Sequence, residues 1–137
     1  MKKGIIAVVI VLGVLLCSAF LKSGLENDVE TFLSTVIKGD VETAYNTLLK
    51  GTQLAERTES IQLQKQQTAQ LFDAYGKLLS FEQVKKDQYG QSLTRLVYLL
   101  KCENMPVIWE FYYYKASNKW QLVSLKFRDN LDYLAVN

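Results

Sequence analysis

Histidine is absent from this chain. That removes the commonest general base at neutral pH, the usual zinc ligand and any Ser-His or Cys-His nucleophilic pair. Cysteine is scarce: of the two present, Cys17 falls in an apolar N-terminal run and only Cys102 lies beyond it. The part that folds beyond that run therefore has no intrachain disulfide, and a lone thiol in an oxidising compartment is expected to be buried. The one proline, Pro106, falls at a strand start, where losing a backbone donor costs least. A strong charge of either sign is also missing. Sixteen Lys and Arg against fourteen Asp and Glu give a net +2, which Lys2 and Lys3 supply. A near-neutral remainder excludes nucleic acid as a partner and a polybasic membrane patch. Metal-ligand spacings, phosphate-binding glycine loops and nucleophile motifs are absent as well, so no metal and no cofactor are expected.

What is present begins at the N-terminus. Lys2 and Lys3 precede an unbroken apolar run from Ile5 to Leu21. Cys17-Ser18-Ala19 offers the small residues a signal peptidase reads, with a cut after Ala19. The run is also about the minimum length that spans a bilayer, so an uncleaved anchor with its lysines inside is a second arrangement. Lipidation of Cys17 is a third, opposed by bulky Leu16 just before it. Each predicts export in bacterial style, to a periplasmic or extracellular location, with membrane contact only through residues 5–21. The chain divides into residues 1–22, signal or anchor, and residues 23–137, about the right length for one domain.

Helical periodicity fills the first half of that domain. Ser23-Gly24-Leu25-Glu26 reads as a capping box, followed by Leu25, Val29, Phe32, Leu33, Val36 and Ile37 on one face. Gly39 stops this helix and Asp40 caps the next, whose apolar face carries Val41, Ala44, Tyr45, Leu48 and Leu49. A third, longer helix is predicted from Thr58 to Tyr75, closed by Gly76, with Ile61, Thr68, Leu71, Phe72 and Tyr75 inward. Its glutamines, from Gln62 to Gln70, read as a solvated surface. The second half alternates with period two. Strands are predicted over 79–86, 92–103, 106–115 and 119–128, joined by short turns that make the sheet an antiparallel meander. The fold class is α+β: three helices packed on a curved four-stranded antiparallel meander, behind the N-terminal signal or anchor helix.

Pairing the residues that flank each turn directly gives one aromatic face for the helices: Leu79, Phe81, Leu96, Tyr98, Leu100, Trp109, Phe111, Tyr113 and Leu122, with Trp120 beside them. The opposite face carries Val97, Leu99, Ile108, Tyr112, Tyr114, Val123, Leu125 and Phe127 among Glu82, Arg95, Lys101 and Glu110. A sheet face open to water should be mostly polar. Homodimerisation through Leu99, Ile108, Tyr112, Tyr114, Val123, Leu125 and Phe127 would cover it. So would a ligand or partner protein, or the tail from Asp129.

Candidate chemistry is sparse. Glu110, between Trp109 and Phe111, is the carboxylate best placed for burial and hence for acid–base work. A cross-strand ion pair with Lys101 is its plainer role. Asp73 is the second carboxylate candidate, with solvated surface as its plainer role. Tyr45, Tyr75, Tyr98, Trp109 and Tyr113 could line a ligand pocket for a small apolar molecule, or form core.

The order of elements around Gly39-Asp40-Val41-Glu42-Thr43-Ala44-Tyr45, then Gly76-Lys77-Leu78, then Asn118-Lys119-Trp120-Gln121-Leu122, resembles the nuclear-transport-factor-2-like superfamily. This is the cystatin-like α+β cone, and the likeness is to its small exported bacterial members. The resemblance implies a curved sheet wrapped around helices, a pocket between them, and dimers through the outer face of the sheet. Some relatives are isomerases or dehydratases that set Asp, His and Tyr in the pocket; this chain lacks the histidine. Two functions stay open: a non-enzymatic module binding an envelope protein, a small apolar ligand or its own copy, and an isomerase- or lyase-type enzyme using Glu110 or Asp73 with a tyrosine.

Overall fold

A computed structural model of the chain describes residues 24–135. The expected signal or anchor, and Ser23 of the expected capping box, lie outside the described residues. Among the described residues, no helix is long and apolar enough to cross a membrane.

Helix α1 (Gly24–Ile37) buries Val29, Phe32, Leu33 and Val36 on the face set by their three- and four-residue spacing. It ends at Gly39, which takes φ +87°, a backbone conformation costly to side chains with a Cβ. Asp40 then caps helix α2 (Val41–Leu49), its carboxylate accepting from the Thr43 N–H at 3.1 Å. The predicted third helix is two pieces, α3 (Thr58–Ala69) and α4 (Leu71–Tyr75), parted at Gln70. Thr68 lies just before the break. Its hydroxyl bonds back to the Gln64 carbonyl at 2.8 Å and also meets the Tyr45 hydroxyl at 2.8 Å, a type of back-bonding that bends helices. The bend leaves Phe72, expected inward, 58% exposed.

Four antiparallel strands follow in sequence order, β1 (Leu78–Tyr89), β2 (Leu93–Cys102), β3 (Val107–Lys115) and β4 (Trp120–Arg128). Beside its turn the β3–β4 register is the expected one, Lys115 with Trp120 continuing Ala116 with Lys119, while β1–β2 and β2–β3 depart from direct pairing of turn-flanking residues. β2 and β3 pair from Leu100 with Val107, which leaves Pro106, without an N–H to donate, outside the ladder. β1 carries irregularities at Leu79 and Val84, and β4 carries one at Val123. Each inserts an unpaired residue and flips the strand beyond it to the other face. Leu79, expected in the core, is consequently 53% exposed. Leu125 and Phe127, expected on the outer face, instead pair with Phe111 and Trp109 on the side of the helices.

The interior between helices and sheet is closed by rings. Phe32 is its centre, meeting Tyr45, Trp109 and Phe111 edge-on at centroid distances of 5.1, 5.3 and 5.9 Å. Trp109 in turn packs, tilted, against Phe127 at 4.7 Å. Such edge-to-face pairs add to simple area burial and fix the angle at which α1 crosses the sheet. Cys102 is buried at the end of β2, as its chemistry required, and burial pushes its thiol above the ordinary range.

Gly76 joins helices to sheet with φ +82°, and a Cβ there would come within 2.9 Å of the Asn104 side chain and 3.0 Å of Glu103. Gly90, at φ +62°, faces open space. Urea unfolding is therefore expected to show Gly76→Ala costing about 2–3 kcal/mol and Gly90→Ala only about 1. Equal losses at both positions would contradict the crowding at Gly76.

Candidate functional site

Four of the five aromatic residues expected to line a pocket are brought together. Tyr45, Tyr98 and Trp109 are fully buried and Tyr113 is 4% exposed, all within the single core cluster. They fill the interior around Phe32. Burial raises Tyr45 to about 12, with the Thr68 hydroxyl opposing the shift. Tyr98 and Tyr113 are raised mainly by burial, and further by the charges of Glu30 and Asp28 respectively. Two polar atoms here have no partner among the described residues, Trp109 Nε1 and the Tyr113 hydroxyl. Tyr75 stands apart. It is half-buried and donates its hydroxyl to the Asp129 carboxylate, the main cause of its raised value.

The two carboxylate candidates do not join this cluster. Asp73 is exposed on α4. Glu110 is 5% exposed, but it projects from the outer face, where it pairs across the ladder with Val97 and Lys126. Lys101, its expected partner, lies instead near Glu82 at 3.7 Å. The partner of Glu110 is Arg95.

Arg95 is the hub of the outer face. It is 8% exposed, and each of its three nitrogens has an acceptor. Nε donates to Glu110 Oε2 at 2.7 Å, Nη1 to Asp87 Oδ2 at 2.7 Å, and Nη2 to the Tyr133 hydroxyl at 2.7 Å. These charge-assisted bonds are short and match the planar fork of a guanidinium. Desolvation opposes the charge of Arg95, but the hydrogen bonds it donates to Glu110 and Asp87 outweigh that and raise its value above the ordinary arginine range. Arg128 approaches Glu110 Oε1 at 4.0 Å and lies over the Tyr133 ring at 3.9 Å.

Tyr133 belongs to a short 3₁₀ segment, Leu131–Ala135, that turns back from β4. Asn130 opens it by accepting from the Asp132 N–H at 2.9 Å. This carboxyl-terminal strap reaches the middle of the sheet, because Arg95 on β2 and Arg128 on β4 both touch one ring. Between those arginines lie Val97 and Ile108, outer-face residues with no exposure at all. Of the remaining residues expected to form a dimer face, Leu99 and Tyr112 are half-buried, while Tyr114 and Val123 are 46% and 40% exposed.

Sequence reasoning placed Arg95 on this face but missed its role and that of Tyr133. An arginine interrupting the outward series Leu93, Val97 and Leu99 was the available signal, since a charge among apolar neighbours demands acceptors. Open depressions lie elsewhere. One, of about 370 Å³ between α1 and α2, is lined by Thr31, Thr35, Thr43 and Thr47 with Asp28 and Lys50. Among the described residues, no group of three or more Cys, Asp or Glu side chains is placed to hold a metal ion. The chain matches no protein-family model, no curated protein and no solved structure.

Two outcomes follow from these contacts. Glu110→Gln leaves Arg95 buried with a neutral acceptor and is expected to cost about 3 kcal/mol in urea unfolding, against under about 0.5 for Glu82→Gln at the surface. The buried tyrosines bind their protons more tightly folded than unfolded, so their stabilisation is complete below pH 10 and is lost as pH rises toward 12. A spectrophotometric titration should then show tyrosinate absorbance rising together with the loss of ellipticity. Ionisation of all eight tyrosines before unfolding would contradict the packed interior.

Proposed function

We propose that this chain is an exported, non-enzymatic interaction module of the nuclear-transport-factor-2-like type, held in or released from the membrane by its N-terminal segment. In this reading it works through the outer face of its sheet, and its first partner is a second copy of itself. The observation that carries the reading is the engagement of Glu110. A general acid or base needs a carboxylate facing a space that substrate can enter. Glu110 instead accepts from Arg95 at 2.7 Å on the outer face, on the other side of the sheet from the tyrosines that would have assisted it. The space those tyrosines were expected to line is occupied by their own rings and Phe32.

The outer face supplies the complementary support. Leu99, Tyr112, Tyr114 and Val123 still present apolar surface after the strap has covered its centre. An apolar patch of this kind, left uncovered, supports an interaction surface. The described helices supply no further cover, because the core they form with the sheet lies on the opposite side.

Sedimentation equilibrium of the domain from Ser23, carried to millimolar protein, is expected to show reversible dimerisation. Tyr114→Glu, an exposed change, should weaken it at least about tenfold by placing an unpaired charge in the contact. A domain that stays monomeric at every concentration would overturn self-association.

A further inference from the structure

We infer that the carboxyl-terminal strap is a built-in cover for the self-association face, lifted when two copies meet; this rests on the reading that the outer sheet face is where copies join. The strap is attached in an unusual way for a covering element. Its apolar residues Leu131 and Leu134 are each 45% exposed, so little hydrophobic burial holds it down. What holds it is polar: the Arg95 bond to the Tyr133 hydroxyl, the two guanidinium groups against its ring, and the Tyr75–Asp129 bond at its hinge. Contacts of this kind exchange readily with water, and segments with few buried apolar contacts open at low cost.

The floor beneath does not depend on the strap. With Tyr133 gone, Arg95 keeps both carboxylates, Glu110 and Asp87, each at 2.7 Å. Lifting the strap therefore exposes a formed hub of charges and not a collapsed one.

A second copy fits that surface by its own symmetry. Two such faces packed about a twofold axis parallel to the strands lay β2 of one copy over β3 of the other, and β1 over β4. The observed registers then set Leu99 against Ile108, Leu93 against Tyr114, and Glu82 against Arg128, each twice. Glu82 is only loosely engaged at home, 3.7 Å from Lys101. Arg128 is engaged by the strap ring and only loosely by Glu110, at 4.0 Å, so release of Tyr133 loosens the cation that the partner's acid requires. The one like-charged match, Lys85 with Lys126, falls on the outer strands, where solvent screens it.

The test compares the full chain with Tyr133→Ala, both in density-matched detergent micelles, by sedimentation equilibrium. The apolar N-terminal run contributes equally to both, so the difference reads the strap alone. Because a strap must lift on each protomer, Tyr133→Ala is expected to tighten the dimer about a hundredfold, tenfold per copy. Adding Tyr114→Glu to Tyr133→Ala should reverse that gain and so locate the contact on this face. An unchanged association constant, with the wild type dimeric, would overturn the cover while leaving self-association in place. Monomers in both proteins would remove the cover and the self-association reading together. Weaker association in Tyr133→Ala would make the strap part of the contact, and loss of cooperative unfolding would make it part of the fold; either overturns the proposal.

Discussion

A single sheet with apolar side chains on both faces must be covered twice, and everything in this molecule answers that constraint. On one side the cover is made of helices, keyed by Phe32 into a cluster of rings from α2, β3 and β4. Dispersion and area burial do the work there, and the geometry is fixed because ring pairs prefer particular angles. On the other side none of the described helices packs. The chain uses a five-residue strap and a hub of charges, a thinner solution whose contacts are polar.

The hub explains how a buried arginine is tolerated at all. A guanidinium taken out of water costs several kcal/mol unless its donors find acceptors. Arg95 finds three, from strands β1 and β3 and from the strap, and so ties four segments of chain together at one point. Its pairing with Glu110 also decides the chemistry of the face. The carboxylate most favoured by sequence for acid–base work is consumed in holding the sheet together. That converts a candidate catalytic group into an organising one, and the interaction reading follows from the conversion.

Much of this was legible in the residues. The switch from a 3.6-residue to a two-residue period separated helices from strands, and Gly39, Asp40 and Gly76 marked boundaries that the fold reproduces. The inward faces of α1 and α2 and of β2 and β3 were readable for the same reason. What escaped was set by backbone irregularity. The insertion at Val123 moved Leu125 and Phe127 from outer face to core, and nothing in Leu122-Val123-Ser124-Leu125 announces a bulge, since each residue suits a regular strand. The partner of Glu110 escaped because the β2–β3 loop is wider than the shortest turn, bringing Arg95 where Lys101 was expected. The tail from Asp129 was among the covers the sequence offered for this face, but its anchor, one tyrosine meeting two distant arginines, has no period to read.

The insertions in β1 carry a further consequence. β1 lies at the edge of the sheet, and its Leu79 and Val84 each break the even spacing of its outward amides and carbonyls. A straight strand in that position would be a template on which other chains could stack rung by rung into fibrils. The kinked rim, with Lys85 and Lys86 along it, denies them that ladder. Crowded copies are thereby turned away from open-ended growth along this rim.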